Sequence, residues 1–189
     1  MMDDMRAQLS ALIDSVYEGE KKVLVFGEGA PFARVMMIGE APGEQEALQG
    51  RPFVGRAGKN LDEFLAMSGL SRGEMYVTNV VKFRPTRISD AGRIVNRAPT
   101  QEEIQLFLPF LKREITLVKP RVVVTLGNVP LRALLGPGAV IGEMHGTLLE
   151  TPYGKLFPMY HPASLIYNRS LRDAYAADMG ALSELIKNM

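Results

Sequence analysis

The chain has no cysteine and no tryptophan, and only two histidines. Without cysteine there is no disulfide, no thiol nucleophile and no cysteine-held zinc or iron–sulfur cluster. The two histidines, His145 and His161, have no paired acid motif beside them, which makes a poor zinc site, and no metal is expected. No apolar stretch approaches the ~20 residues of a membrane span. The opening MMDDMRAQLS carries acids and no hydrophobic run, so it does not read as a secretory leader. Charge of either sign is not in excess: 22 basic against 21 acidic residues leave a net charge of +1. Any nucleic-acid surface must therefore be a local patch. With 47% hydrophobic and 23% charged content in 189 residues, one globular domain over residues 1–189 is expected, in the cytoplasm.

Hydrophobic spacing lays out alternating elements. Met5, Leu9, Leu12, Ile13 and Val16 mark an amphipathic helix over residues 3–17, and Leu61, Phe64 and Leu65 mark another over 58–67. Thr100-Gln-Glu-Glu103 is a capping-box pattern that opens a helix to about Val118. Shorter periodic segments predict helices over 129–135 and 171–187. Apolar, β-branched runs at 34–38, 75–78, 121–126 and 155–160 read as strands buried on both sides. The alternation implies a three-layer α/β/α sandwich around a central four-stranded, mainly parallel sheet. Ligands in such sheets bind beyond the carboxyl ends of the strands. Those ends are Gly39-Glu40, Asn79, Gly127-Asn128 and His161-Pro162, so a carboxylate, a carboxamide and an imidazole are expected at one rim.

Three segments bear on chemistry. Gly39-Glu-Ala-Pro-Gly43 and Gly50-Arg-Pro-Phe-Val-Gly55 are turns rich in Gly and Pro just after a strand. They suit either a tight strand-to-helix connection or a loop that brings backbone close to a ligand. Neither is a P-loop or a dinucleotide-binding fingerprint. His161 precedes Pro162, which fixes the local turn. Residues 82–97, KFRPTRISDAGRIVNR, hold five basic side chains against Asp90. That run reads either as a solvated loop or as a patch for DNA phosphates.

Taken in order, GEAPGEQE, GRPFVGRAG, YVTNVVKFRP, EEIQLFLPFL, VVVTLGN and MYHPASL span roughly residues 23–187. Together they resemble the family 4 uracil-DNA glycosylases of the wider uracil-DNA glycosylase superfamily. The resemblance implies a monomeric repair enzyme that hydrolyses the N-glycosidic bond of uracil in DNA by base flipping. It implies that Phe53 stacks on the flipped ring and that Asn79 reads its edge, accepting from N3–H and donating to O4. His161 would donate to uracil O2 as charge develops there. Glu46 would orient the water, while Glu40 shapes the pocket with the backbone of Gly39 and Ala41. Leu165 matches the wedge that fills the vacated stack, and Lys82, Arg84, Arg87 and Ser164 fall where DNA is contacted. Related enzymes of this architecture act on hypoxanthine or xanthine, and one relative binds uracil-DNA covalently through a histidine near His145. A non-catalytic DNA-binding module is the contrasting class.

The resemblance has departures. Family 4 members carry four cysteines that ligate an iron–sulfur cluster remote from the bond chemistry. Here Phe83 and Phe107 stand at the third and fourth positions, and the first pair falls near Leu12 and Ser15. Apolar packing of the two rings is expected to replace the cluster's scaffolding. His145 and Tyr167 stand where arginine is usual, and the 84–97 segment is longer. No cofactor is expected. Purified protein should be colourless, with iron far below one cluster per chain by metal analysis; a brown preparation with stoichiometric iron would overturn the argument from cysteine.

Overall fold

The computed structural model describes residues 1–30 and 32–189. Helix α1 (Met2–Val16) leads into strands β1 (Glu28–Gly29) and β2 (Val35–Gly39). Helices α2 (Glu44–Gln49) and α3 (Arg56–Met67) precede β3 (Met75–Asn79). A hairpin of β4 (Thr86–Ile88) and β5 (Ile94–Asn96) follows, then α4 (Gln101–Val118) and β6 (Val122–Leu126). Helices α5 (Asn128–Leu135) and α6 (Ile141–Met144), strands β7 (Leu149–Thr151) and β8 (Gly154–Met159), and helices α7 (Ser164–Tyr167) and α8 (Arg172–Lys187) complete the chain.

The sheet runs β1-β3-β2-β6-β8-β7. Its four central strands are parallel and are those expected from the apolar runs. The expected four-stranded sheet is nevertheless six-stranded, because β1 and β7 add antiparallel edges. Two- and three-residue strands are too short to show a period of two, so no pattern announces them.

Strands β2, β3 and β6 are buried along their whole length, as a sheet covered on both sides requires. Alternate residues divide between two cores. Met36, Ile38, Tyr76, Val123 and Leu156 face a layer that includes Leu9, Ile13, Phe107, Leu111 and Leu131. Val35, Met37, Val77, Val124 and Phe157 face Leu61, Phe64, Tyr175 and Leu182. The path from β2 leads to β3 on one side, and the path from β3 returns to β6 on the other side of β2. Connections thus leave the β2–β6 pair in opposite directions and open a crevice at the carboxyl ends.

Helix α4 begins with the expected capping box: the Glu103 amide donates to Thr100 Oγ1 at 3.2 Å, and the Thr100 amide donates to a Glu103 carboxylate oxygen at 2.7 Å. Below it, the Phe83 and Phe107 rings meet edge to face at 5.6 Å. Tyr17, just past α1, adds a third ring 5.4 Å from Phe83. Lys22 Nζ lies 4.7 Å from the Tyr17 ring centre and 5.1 Å from that of Phe83. The expected two-ring packing is therefore a three-ring, edge-to-face cluster beside a cation, whereas Ser15 lies exposed on α1. Phe107→Ala should lower unfolding free energy by about 3–5 kcal/mol in urea melts, the usual loss for a fully buried ring. A change below about 1 kcal/mol would mean that the rings do not hold α4 to the sheet.

Candidate active site

A cavity of about 360 Å³ opens at the carboxyl ends of the parallel strands, within the size range of small-ligand sites. Phe53, Asn79, His161, Glu46 and Ala41 line it, together with Arg56 and Asn96.

Gly39 ends β2 beneath this cavity. A Cβ there would lie 2.6 Å from Phe53 Cζ and would overlap Asn79 Oδ1. Only glycine lets the aromatic ring and the carboxamide meet over the end of the strand. Phe53 itself has φ of +55°, a left-handed conformation that costs a bulky residue about 1–3 kcal/mol. The loop is held there by Arg72, whose guanidinium donates to the carbonyls of Phe53 at 2.6 Å and Pro52 at 2.5 Å. Gly58 in the first turn of α3 supplies the clearance, since a Cβ there would press into the Phe53 backbone.

Asn79 is buried at the end of β3. Its backbone carbonyl accepts from Lys82 Nζ at 2.7 Å. The same ammonium donates to Thr78 Oγ1 at 2.5 Å and to Glu114 Oε2 at 2.6 Å. Lys82 is thus not a DNA contact: it is 1% exposed and its three protons are all used inside. The Tyr76 hydroxyl donates to the other Glu114 oxygen at 2.8 Å, and burial raises its pKa well above the ordinary value, with the carboxylate adding to the effect.

His161 follows β8. Its Nδ1 accepts from the Ala163 amide at 3.1 Å, so the neutral ring carries its proton on Nε2. Burial lowers the imidazole pKa to about 4, against an opposing pull from the Glu46 carboxylate. Gly127, at φ +89°, leaves 3.1 Å between a hypothetical Cβ and His161 Cβ, so glycine is what admits the histidine backbone. The Phe53 and His161 rings face one another at 6.3 Å, only 28° from parallel. Asn128, expected at the same rim, turns away and accepts from the Ile141 amide at 2.9 Å.

Of the two candidate carboxylates, Glu46 lines the cavity and Glu40 does not. Glu46 Oε1 accepts from the amides of Val54 at 3.0 Å and Gly55 at 2.8 Å. No protein donor among the described residues occupies Oε2. Glu40 is partly buried beside the site, and burial holds its carboxyl pKa above the ordinary value.

The expected DNA contacts fare unevenly. Arg84 lies against the hairpin and α2, donating to Asn96 Oδ1 at 2.7 Å and Glu44 at 3.3 Å. Arg87 is exposed on β4. Ser164 Oγ donates to the His161 carbonyl at 2.6 Å and shapes that turn. Leu165 is packed into the core at 8% exposure and does not protrude, its side chain belonging to the cluster that includes Phe64 and Tyr175. His145 does not line the cavity; its Nδ1 pairs with Asp178 at 2.8 Å and its ring lies against Tyr160. Arg56 and Asn96 were not foreseen. Arg56 sits in the GRPFVGRAG run, where the start of a helix after Gly55 was a usable signal; for Asn96 no local signal existed.

A family model for the uracil DNA glycosylase superfamily matches residues 26–180. The chain belongs to this superfamily. It is 38% identical over 168 residues to the type-4 uracil-DNA glycosylase of Sulfurisphaera tokodaii, covering 84% of this chain and 73% of that one. With the type-4 enzyme of Archaeoglobus fulgidus identity is 34%, over 97% of this chain and 92% of its relative. The crystal structure of SMUG2 from Pedobacter heparinus shares the fold, with a TM-score of 0.57 at 12% identity over 97% of this chain and 85% of that one. An iron–sulfur cluster does not fit this member. The chain has no cysteine to ligate one, and no group of three potential metal ligands gathers among the described residues.

The His161 shift has a definite sign. Between the unfolded value of 6.5 and the folded value of about 4, the unfolded chain binds more protons, so stability falls as pH drops through that window. Urea melts between pH 6.5 and 4 should show a steeper loss in the wild type than in His161→Gln. Equal slopes would mean that the ring titrates normally.

Proposed function

We propose that the protein excises uracil from DNA by hydrolysing the N-glycosidic bond of a flipped nucleotide, leaving an abasic site. The observation that supports this most is the neutral His161, whose Nδ1 is committed to a backbone amide while its Nε2–H is free beside Phe53, Asn79 and Glu46. Type-4 uracil-DNA glycosylases among its relatives support the same reading.

In this mechanism the pyrimidine enters the cavity against the Phe53 face. The Asn79 carboxamide accepts from N3–H and donates to O4, an arrangement that a cytosine edge does not match. As the C1′–N1 bond breaks, its electron pair passes to the uracil and builds negative charge at O2. The Nε2–H of His161 donates to that oxygen. A neutral donor serves better here than an imidazolium, which would be expensive to hold in the buried site. Positive charge grows on the sugar, and the Glu46 carboxylate stabilises it. Water then attacks C1′, its oxygen forming the new bond while its proton passes to Glu46 Oε2. Glu40, beside the cavity rather than lining it, would act on the base pocket through the backbone it shares with Gly39 and Ala41 and would not meet the water. Arg56 and Arg84 lie near enough to the mouth to meet phosphates of the flipped strand.

On this reading the partner is uracil-containing DNA, the working unit is a monomer, and residues 1–189 act as one domain in the cytoplasm. No cofactor takes part.

Oligonucleotides carrying uracil, hypoxanthine, cytosine or thymine at one site, followed by alkaline cleavage of abasic sites, test the proposal. The wild type should cleave the uracil strand. His161→Ala should slow release by about 10²–10³-fold with the fold intact. Asn79→Asp should lose preference for uracil over cytosine, because a carboxylate cannot donate to O4. Unchanged release in His161→Ala would remove the imidazole from the chemistry, and faster release of hypoxanthine would change the substrate.

A further inference from the structure

The β4–β5 hairpin has two unlike faces. Thr86 pairs with Asn96, Arg87 with Val95 and Ile88 with Ile94. Residues two apart along a strand share a face, so Thr86, Asn96, Ile88 and Ile94 lie on one side, with Arg87 and Val95 on the other. Asn96 lines the cavity. The face that carries it therefore continues outward from the cavity mouth and ends in the two isoleucines, exposed at 73% and 66%.

A lone two-stranded ribbon is marginally stable in water, yet this one is fastened at both ends. At its base Arg97 Nε donates to the Thr86 carbonyl at 3.1 Å, while its guanidinium holds Glu103 at 2.6 and 2.7 Å. Arg84 donates to Asn96 from the other side. At its tip the Ser89 amide donates to the Arg93 carbonyl at 2.8 Å, and Gly92 takes the left-handed φ of +71° that closes the turn. The ribbon is held out from the body, and among the described residues nothing covers its isoleucines. Arg87 and Arg93 flank them in sequence, exposed and without ion-pair partners among the described residues. Leu165, in contrast, is packed into the core.

We propose that the Ile88–Ile94 pair is this protein's wedge into duplex DNA: it enters the base stack beside the cavity and fills the space left by the flipped nucleotide, with Arg87 and Arg93 against flanking phosphates. The proposal rests on the uracil-DNA reading. Its chemistry is that of apolar side chains inserted at a base step, where they replace stacking that flipping has broken. Cations beside them meet the phosphate charge. A single strand has no continuous stack to fill, so the wedge matters only on paired DNA.

The test compares wild type with Ile88→Ser/Ile94→Ser on a uracil-containing duplex and on the same strand unpaired. A 2-aminopurine next to the uracil reports unstacking by fluorescence. Ile88→Thr/Ile94→Thr repeats the measurement with β-branched residues that keep the ribbon's backbone preference, and Tyr167→Ala removes the exposed aromatic on α7 as a rival. Expected is a fall of roughly tenfold or more in release from the duplex, with a matching loss of the fluorescence rise and an unchanged rate on the single strand. Equal losses on both substrates, no loss on either, or a duplex-specific loss in Tyr167→Ala alone would overturn the wedge. A wild type active only on the single strand would overturn it too. A wild type that releases uracil from neither substrate would instead overturn the uracil reading, and the wedge with it.

Discussion

Behind the cavity, the Lys82 ammonium is shut away from water and meets three acceptors, one of them the Glu114 carboxylate and another the Asn79 carbonyl. An isolated buried charge would be untenable, and removing one partner of such a pair typically costs about 3–5 kcal/mol. Burial pulls the lysine pKa below its ordinary value while Glu114 pulls it back. Because Glu114 belongs to α4 and Asn79 to the end of β3, the pair ties the crossing helix to the strand end that carries a cavity-lining carboxamide. The capping box at the start of α4 and the three-ring packing beneath it act on the same helix.

The cavity wall is set by a second constraint, which is local. Phe53 adopts a backbone conformation that it would avoid in isolation, and several independent contacts enforce it: Arg72 on two carbonyls, Gly58 for clearance, and the Glu46 carboxylate on the two following amides. Glu46 consequently has two tasks. One oxygen locks the loop that presents the aromatic ring, and the other accepts from no protein donor among the described residues. One side chain thus both lines the cavity and fixes its loop, so the position of the carboxylate relative to the ring is inherited from the loop.

Electrostatics in the site favour neutral donors. His161 is kept uncharged by burial, with its tautomer set by one backbone amide. In the proposed reaction such an imidazole would hydrogen-bond to charge that appears as the bond breaks, without a charge to desolvate beforehand. The aromatic cluster of Tyr17, Phe83 and Phe107 lies apart from these groups and outside the cavity lining. Family membership and the absence of cysteine are therefore compatible: what a metal cluster would brace by coordination, buried rings can brace by packing.

Strands β2, β3, β6 and β8 were legible from sequence because a strand buried on both faces is a continuous apolar run, and the helix starting at Thr100 was legible because its cap is written within four residues. The strand ends alone put Glu40, Asn79 and His161 at one rim, and only the family resemblance added Phe53 and Glu46, which line the cavity where Glu40 does not. Edge strands β1 and β7 were not legible, since their pairing depends on distant partners rather than on their own pattern. Lys82 reads as one more cation in a basic run; that it points inward depends on Glu114, 32 residues away. Leu165 occupies a wedge position by motif yet lies in the core, and Ile88 and Ile94, which carry no motif, stand in solvent. Periodicity, capping and turn chemistry are properties of neighbours along the chain, and these one dimension can hold. Which charge is neutralised and which apolar side chain is left uncovered are properties of neighbours in space, and they exist only once the layers have closed.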